Sequence, residues 1–165
     1  YFSRIQVEGT DEQKTNFYTS YYHALIQPNN IADVDGMYRN AKGELAKAEG
    51  GTYYSTFSTW DTYRASHPFY TLVLPEMVNP FVRSMLLHHK ALGYLPIWTL
   101  WGKDNHCMIG NHSVPIVAEA YAKGFRGFDA EEAGGQADAD HLAPAKVRLG
   151  NLHQVWLFPH RRDEA

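Results

Sequence analysis

The chain has a single cysteine, Cys107. No intrachain disulfide can form, and cysteine usage points to neither an oxidising nor a reducing compartment. No apolar run approaches the roughly 20 residues that a membrane-spanning helix needs. No N-terminal stretch has the form of a secretory signal. The chain does not begin with Met, as expected of a fragment. Positive charge is not in excess: 15 Lys and Arg stand against 18 Asp and Glu, for a net charge of -3. No nucleic-acid or membrane-surface partner is therefore expected. A glycine-rich phosphate loop and a strand-helix-strand rhythm are both missing, so a nucleotide-binding α/β fold is not expected either.

Aromatic side chains are what the chain has in quantity. They make up 14% of it, with 11 Tyr and 4 Trp. Tyr and Trp join an apolar body to a polar handle, which suits ordinary cores and sugar-lined clefts alike. At 165 residues the chain is long enough for one domain with a real core.

Tyr1 to Val7 reads as a strand. Thr10 to Ile26 reads as a helix, with a Thr-x-x-Gln capping box closed by Gln13. Phe17, Tyr18, Tyr21, Tyr22 and Leu25 recur there at helical spacing, and His23 lies off the stripe as a plain polar side chain. Residues 31–51 are irregular, apart from a small hairpin around Asn40-Ala-Lys-Gly43. Residues 69–74 are a short apolar run that fits helix or strand. Asn79-Pro80 reads as the cap and first residue of a helix to Leu92, with Phe81, Val82, Met85 and Leu86 inward and Gly93 at its end. His88 and His89 are adjacent, so they cannot share one metal-binding face. A loop over residues 103–110 holds Cys107. A last helix runs from about Val114 to Lys123, with Pro115 in its first turn and Gly124 beyond it. Cys107 and His112 lack the further ligands a metal site needs, and no spacing fixes them as a nucleophile and base. Helices alternating with long aromatic-rich loops have the look of a helical toroid.

The stretch from Thr52 to Arg64 carries the most chemistry. Ser58 is a good N-cap and Asp61 follows three residues later, so a helix running to about Ser66 is expected. Its first turn would carry the Trp60 indole, the Asp61 carboxylate and the Arg64 guanidinium. A flat apolar face, an acceptor and a fork of donors together suit a polyhydroxylated ligand. The plainer alternative has Asp61 capping the helix and pairing with Arg64 at i,i+3.

Several long motifs carry a family resemblance. Glu8-Gly-Thr-Asp-Glu-Gln-Lys-Thr-Asn-Phe-Tyr-Thr-Ser-x-Tyr-His23 comes first, then Gln27-Pro-Asn-Asn and Tyr53-Tyr-Ser-Thr-Phe-Ser-x-Trp-Asp-Thr-Tyr-Arg64. Leu95-Pro-x-Trp98, Trp101-Gly, Cys107-Met-Ile-Gly-Asn-His112, Pro115, Lys123-Gly and Gly127-Phe-Asp-Ala130 follow. Over about residues 5–132 the chain resembles the start of the catalytic domain of glycoside hydrolase family 92, calcium-dependent inverting exo-α-mannosidases. The resemblance implies a mainly α fold, the first helices of an (α/α)6 toroid, with a small β-hairpin and long loops. It implies that Asp61 contacts a terminal mannose, with Trp60, Arg64, Trp101 and His112 as further pocket walls. It also implies mannose-containing glycans as partners and a secreted or periplasmic location. The family's general acid, its aspartate base and its calcium ligands belong to later motifs that have no match here. No catalytic residue and no metal ligand is therefore expected within this chain. That leaves three readings: an incomplete α-mannosidase domain, a non-catalytic mannose-binding module, or an inert fragment.

From about Gly134 the sequence loses its period and its likeness to the family, so residues 1–133 and 134–165 divide as domain fragment and tail. Codons can be chosen for residues 139–165 such that a one-base shift yields a His-Pro, a Trp-x-x-Tyr and a Tyr-Gly-Tyr-x-Pro, as the family carries there. The expectation is an out-of-frame tail.

Overall fold

The computed structural model describes residues 1–129, which are mainly α. Five helices form: α1 (Asp11–Ala24), α2 (Thr59–Thr62), α3 (Ser66–Val73), α4 (Pro75–Leu92) and α5 (Ser113–Ala122). Six short strands join in antiparallel pairs. β1 (Asn29–Asn30) pairs with β4 (Tyr54–Ser55), β2 (Met37–Arg39) with β3 (Leu45–Lys47), and β5 (Thr99–Leu100) with β6 (Lys103–Asp104). The β2–β3 pair is the expected hairpin. The expected boundary at 133 and the tail behind it lie outside the described residues. No helix among those described is long and apolar enough to cross a membrane.

α1 begins as its sequence dictates. The Gln13 amide donates to Thr10 Oγ1 at 3.3 Å and the Thr10 amide donates to Gln13 Oε1 at 2.9 Å, so two otherwise orphaned amides are satisfied. Of its aromatic stripe only Tyr21 is buried, and His23 is exposed. The expected strand at the N-terminus does not form. Phe2–Arg4 is a 3₁₀ turn instead. No neighbouring strand offers it a ladder, and the carbonyls of Tyr1 and Ile5 accept from the hydroxyls of Tyr21 and Tyr18.

Three helix boundaries differ from expectation. Residues 69–74 fall largely in α3. α4 begins at Pro75 rather than at Asn79, because a proline in the first turn lacks an amide that would be unpaired anyway. Pro80 then lies inside the helix, and Asn79 caps nothing. Its Oδ1 accepts the Gly127 amide at 3.0 Å. α2 stops after one turn, and Ala65 (φ -131, ψ -50) separates it from α3. α4 ends as expected at Gly93, whose φ of 88 is a left-handed cap that suits glycine.

The core lies between α3, α4 and α5. Phe81, Val82, Met85 and Leu86 face inward as their spacing predicted, against Tyr70 of α3 and Ile116, Val117 and Ala120 of α5. Phe57 and Leu95 join them from the connecting segments. Each Val, Leu, Ile, Phe or Met among them contributes about 1.5–3 kcal/mol by leaving water. A smaller cluster holds Tyr38 stacked on Tyr53 at 4.0 Å, with Ala48. The segment before α2 is thus pinned on both sides. Tyr53 anchors it to the hairpin, and the Tyr54 amide donates to Ser84 Oγ of α4 at 2.9 Å.

Candidate functional site

Residues 55–59 run alongside residues 96–99, and this pairing builds the frame of the site. The Thr99 amide donates to Phe57 O at 2.9 Å, and the Phe57 amide to Thr99 Oγ1 at 3.1 Å. Thr59 donates to Ile97 O through its amide at 3.1 Å and through its hydroxyl at 2.8 Å. Ser113, at the start of α5, donates its hydroxyl to Pro96 O. Thr59, Thr99 and Ser113 are all buried, and each bond above gives a buried polar group its partner. The start of α2 and the start of α5 are therefore held to the same strip of backbone. Asp104 closes the far side, accepting the Ile97 amide at 2.8 Å and the His106 amide at 3.0 Å.

Trp60, Asp61 and Arg64 are exposed on and just after α2, with Trp60 at 46% exposure. The i,i+3 pairing of Asp61 with Arg64 does not form. Asp61 Oδ2 accepts instead from the Ser58 hydroxyl, and Ser58 makes no side-chain cap to the backbone. Arg64 Nη2 turns to Tyr63 and donates to its phenol oxygen at 3.0 Å. The Tyr63 ring lies 4.6 Å from the ring of His112, with 40° between their planes. His112 occupies the N-cap position of α5 without a capping bond, and its Nδ1 is buried with no hydrogen-bond partner. Arg64, Tyr63 and His112 form one run of contacts beside Trp60 and Asp61.

Trp101 stands apart from that run. It sits on the tight β5–β6 turn, 77% exposed and with a positive φ of 52, and makes no ring contact among the described residues. Its neighbour Gly102 is what allows the turn. Gly102 is buried at φ +81, its amide donates to Ser55 Oγ at 2.9 Å, and an added Cβ would lie 3.0 Å from Arg39 O. Gly102→Ala is expected to cost about 1–2 kcal/mol for the left-handed conformation alone, with the Arg39 carbonyl adding to it. Chemical denaturation of the variant measures this, and an unchanged midpoint would contradict the account.

Sequence reasoning missed two things here. Tyr63 sat inside the motif, between two residues that were singled out, and its aromatic handle was the available signal. The frame of Ser55, Thr99 and Ser113 left no local signal, because each bonds to a segment far away in the chain. Calcium takes six to eight oxygen ligands. Among the described residues no group of three or more His, Cys, Asp or Glu is placed to hold an ion. These side chains do not by themselves make up such a ligand set.

The profile of the glycosyl hydrolase family 92 catalytic domain matches residues 1–155. That match runs past the boundary expected at 133. No curated protein matches the chain. Among solved structures, the family GH92 α-mannosidase BT3965 from Bacteroides thetaiotaomicron, in complex with mannoimidazole, is 39% identical over 83% of this chain and 18% of its own, with a TM-score of 0.79. A second structure of BT3965 is 36% identical over 90% of this chain and 20% of its own, with a TM-score of 0.81. The family GH92 inverting mannosidase BT2199 from Bacteroides thetaiotaomicron VPI-5482 is 32% identical over 82% of this chain and 19% of its own, with a TM-score of 0.76. The chain spans about a fifth of the length of these relatives. A profile that takes in nearly the whole sequence, and a described fold that superposes on two such mannosidases, place this chain in glycosyl hydrolase family 92, within its catalytic domain.

Proposed function

We propose that these residues form the first part of an (α/α)6 toroid that hydrolyses terminal α-mannosides, and that this part grips the sugar without cleaving it. The observation that carries the reading is the turn holding Trp60 and Asp61, exposed beside the Arg64–Tyr63–His112 run, in a chain 39% identical to an enzyme whose structure holds mannoimidazole. The Trp60 indole offers a flat face to the sugar ring. The Asp61 carboxylate accepts from ring hydroxyls, Arg64 and His112 add polar contacts, and Trp101 forms a more distant wall. Asp61 already holds one hydroxyl, that of Ser58, so its second oxygen is the natural acceptor for a ligand.

An inverting hydrolase needs an acid on one side of the scissile bond and a base with its water on the other, about 6.5–9.5 Å apart. Asp104 commits both oxygens to the backbone amides of Ile97 and His106. The acid, the base and the calcium ligands of a working mannosidase would then come from other parts of a longer protein. Two assays decide it. Mannose is expected to raise the melting midpoint of the chain, and Asp61→Ala to abolish that rise. Hydrolysis of an aryl α-mannoside by this chain with calcium, lost on adding chelator, would overturn the non-cleaving half of the proposal.

A further inference from the structure

Tyr63 has no assigned role in the sugar grip, yet it touches both Arg64 and His112. Its phenol oxygen accepts from Arg64 Nη2 at 3.0 Å, and its ring lies 4.6 Å from the imidazole of His112, tilted by 40°. It is half-buried at the C-cap of α2, between that helix and the start of α5. We infer that Tyr63 is a positioning residue, fixing the Arg64 guanidinium and the His112 imidazole relative to each other so that both meet one hydroxyl-bearing ligand. The inference rests on the mannoside-binding reading.

The physical case has two sides. An exposed arginine loses considerable rotamer freedom when it is held, and an anchor in place before binding reduces that cost. The Asp61 carboxylate, three residues away in the chain, is engaged by Ser58 and does not take the arginine. Tyr63 is an anchor within reach, through its phenol oxygen at 3.0 Å and its ring, over which the Arg64 guanidinium carbon lies 5.6 Å from the centroid. His112 is closely confined. The Tyr63 ring packs beside it at 4.6 Å, and the Gly110 backbone comes so close that an added Cβ would lie 2.4 Å from His112 Cε1. In the neutral ring, a buried and unpartnered Nδ1 favours the tautomer with its hydrogen on Nε2, since the other would bury an orphan N–H. A ring held in this way presents Nε2–H as a donor of fixed direction.

The test uses the chain as it stands, with methyl α-mannoside as the probe. Tyr63→Phe removes the hydrogen bond to Arg64 and keeps the ring. It is expected to weaken binding about 5-fold, the worth of one hydrogen bond. Arg64→Ala should then cost less in the Tyr63→Phe background than in the parent. Tyr63→Leu also removes the ring, and is expected to shift the His112 Cε1–H resonance, which Tyr63→Phe leaves in place. Unchanged affinity in Tyr63→Phe, or an unmoved His112 resonance in Tyr63→Leu, overturns the inference. If the parent chain does not bind the probe, the mannoside reading fails. The positioning inference is then judged on resonances alone: His112 must still move in Tyr63→Leu, and the Arg64 Nε–H must lose order in Tyr63→Phe. It falls if either stays as in the parent.

Discussion

Acidification from pH 6.5 to pH 4 is expected to destabilise this fold by about 3 kcal/mol for each of two buried histidines, His67 and His88. His67 is 5% exposed and boxed by the rings of Phe57, Tyr70 and Phe81 at 6.2, 5.5 and 6.1 Å. Burial there pushes its pKa down to about 4. His88 is 1% exposed, and neither ring nitrogen has a hydrogen-bond partner. Burial again dominates and pushes its pKa down to about 4, with Asp104 opposing and His89 and His106 adding to the fall. An unfolded histidine takes its proton near pH 6.5, while the folded ones stay neutral until about pH 4. Between those values the unfolded chain binds more protons. Stability is therefore full above pH 6.5, falls as the pH drops, and loses nothing further from these groups below pH 4. Domains are stable by only about 5–15 kcal/mol, so the combined loss is a large share. Urea unfolding across this range measures it. His67→Phe and His88→Leu should each remove a substantial part of the slope, and a slope untouched by both would falsify the assignment.

Phe81→Ala is expected to cost about 3–5 kcal/mol. Phe81 is 5% exposed at the centre of the aromatic core, with Tyr54 at 4.8 Å, Tyr70 at 5.6 Å, His67 at 6.1 Å and Phe57 at 6.2 Å. Most of these rings approach edge to face, which adds to the loss of buried area. The substitution also removes the packing beneath Tyr54 and Phe57, the residues that lead into Trp60 and Asp61. The denaturation midpoint should fall, and sugar protection should weaken along with it. A loss below about 1 kcal/mol would mean that the cavity collapses and that the site does not lean on this ring.

The parts of the fold legible in the sequence were those that depend on near neighbours. The Thr10–Gln13 capping box, the inward face of α4, the Gly93 stop and the small hairpin need only spacing within a few residues. The end of α2 was not legible, since nothing in Tyr63-Arg-Ala-Ser announces a break. The start of α4 was misread because Asn79-Pro80 fits a helix start locally, while Asn79 is drawn instead to Gly127. The N-terminal segment reads locally as a strand, but an isolated strand has no ladder to join.

The candidate site divides in the same way. Sequence by itself determined the family and which side chains share the α2 turn, because long motifs and helical spacing are properties of the chain. It also left open whether Asp61 pairs with Arg64. Only the tertiary structure decided that. Asp61 goes to Ser58, Arg64 goes to Tyr63, and His112 arrives from nearly fifty residues away through the shared strip at Pro96 and Ile97. Hydrogen bonds and ring contacts between distant segments depend on how the core closes, and no local spacing encodes that.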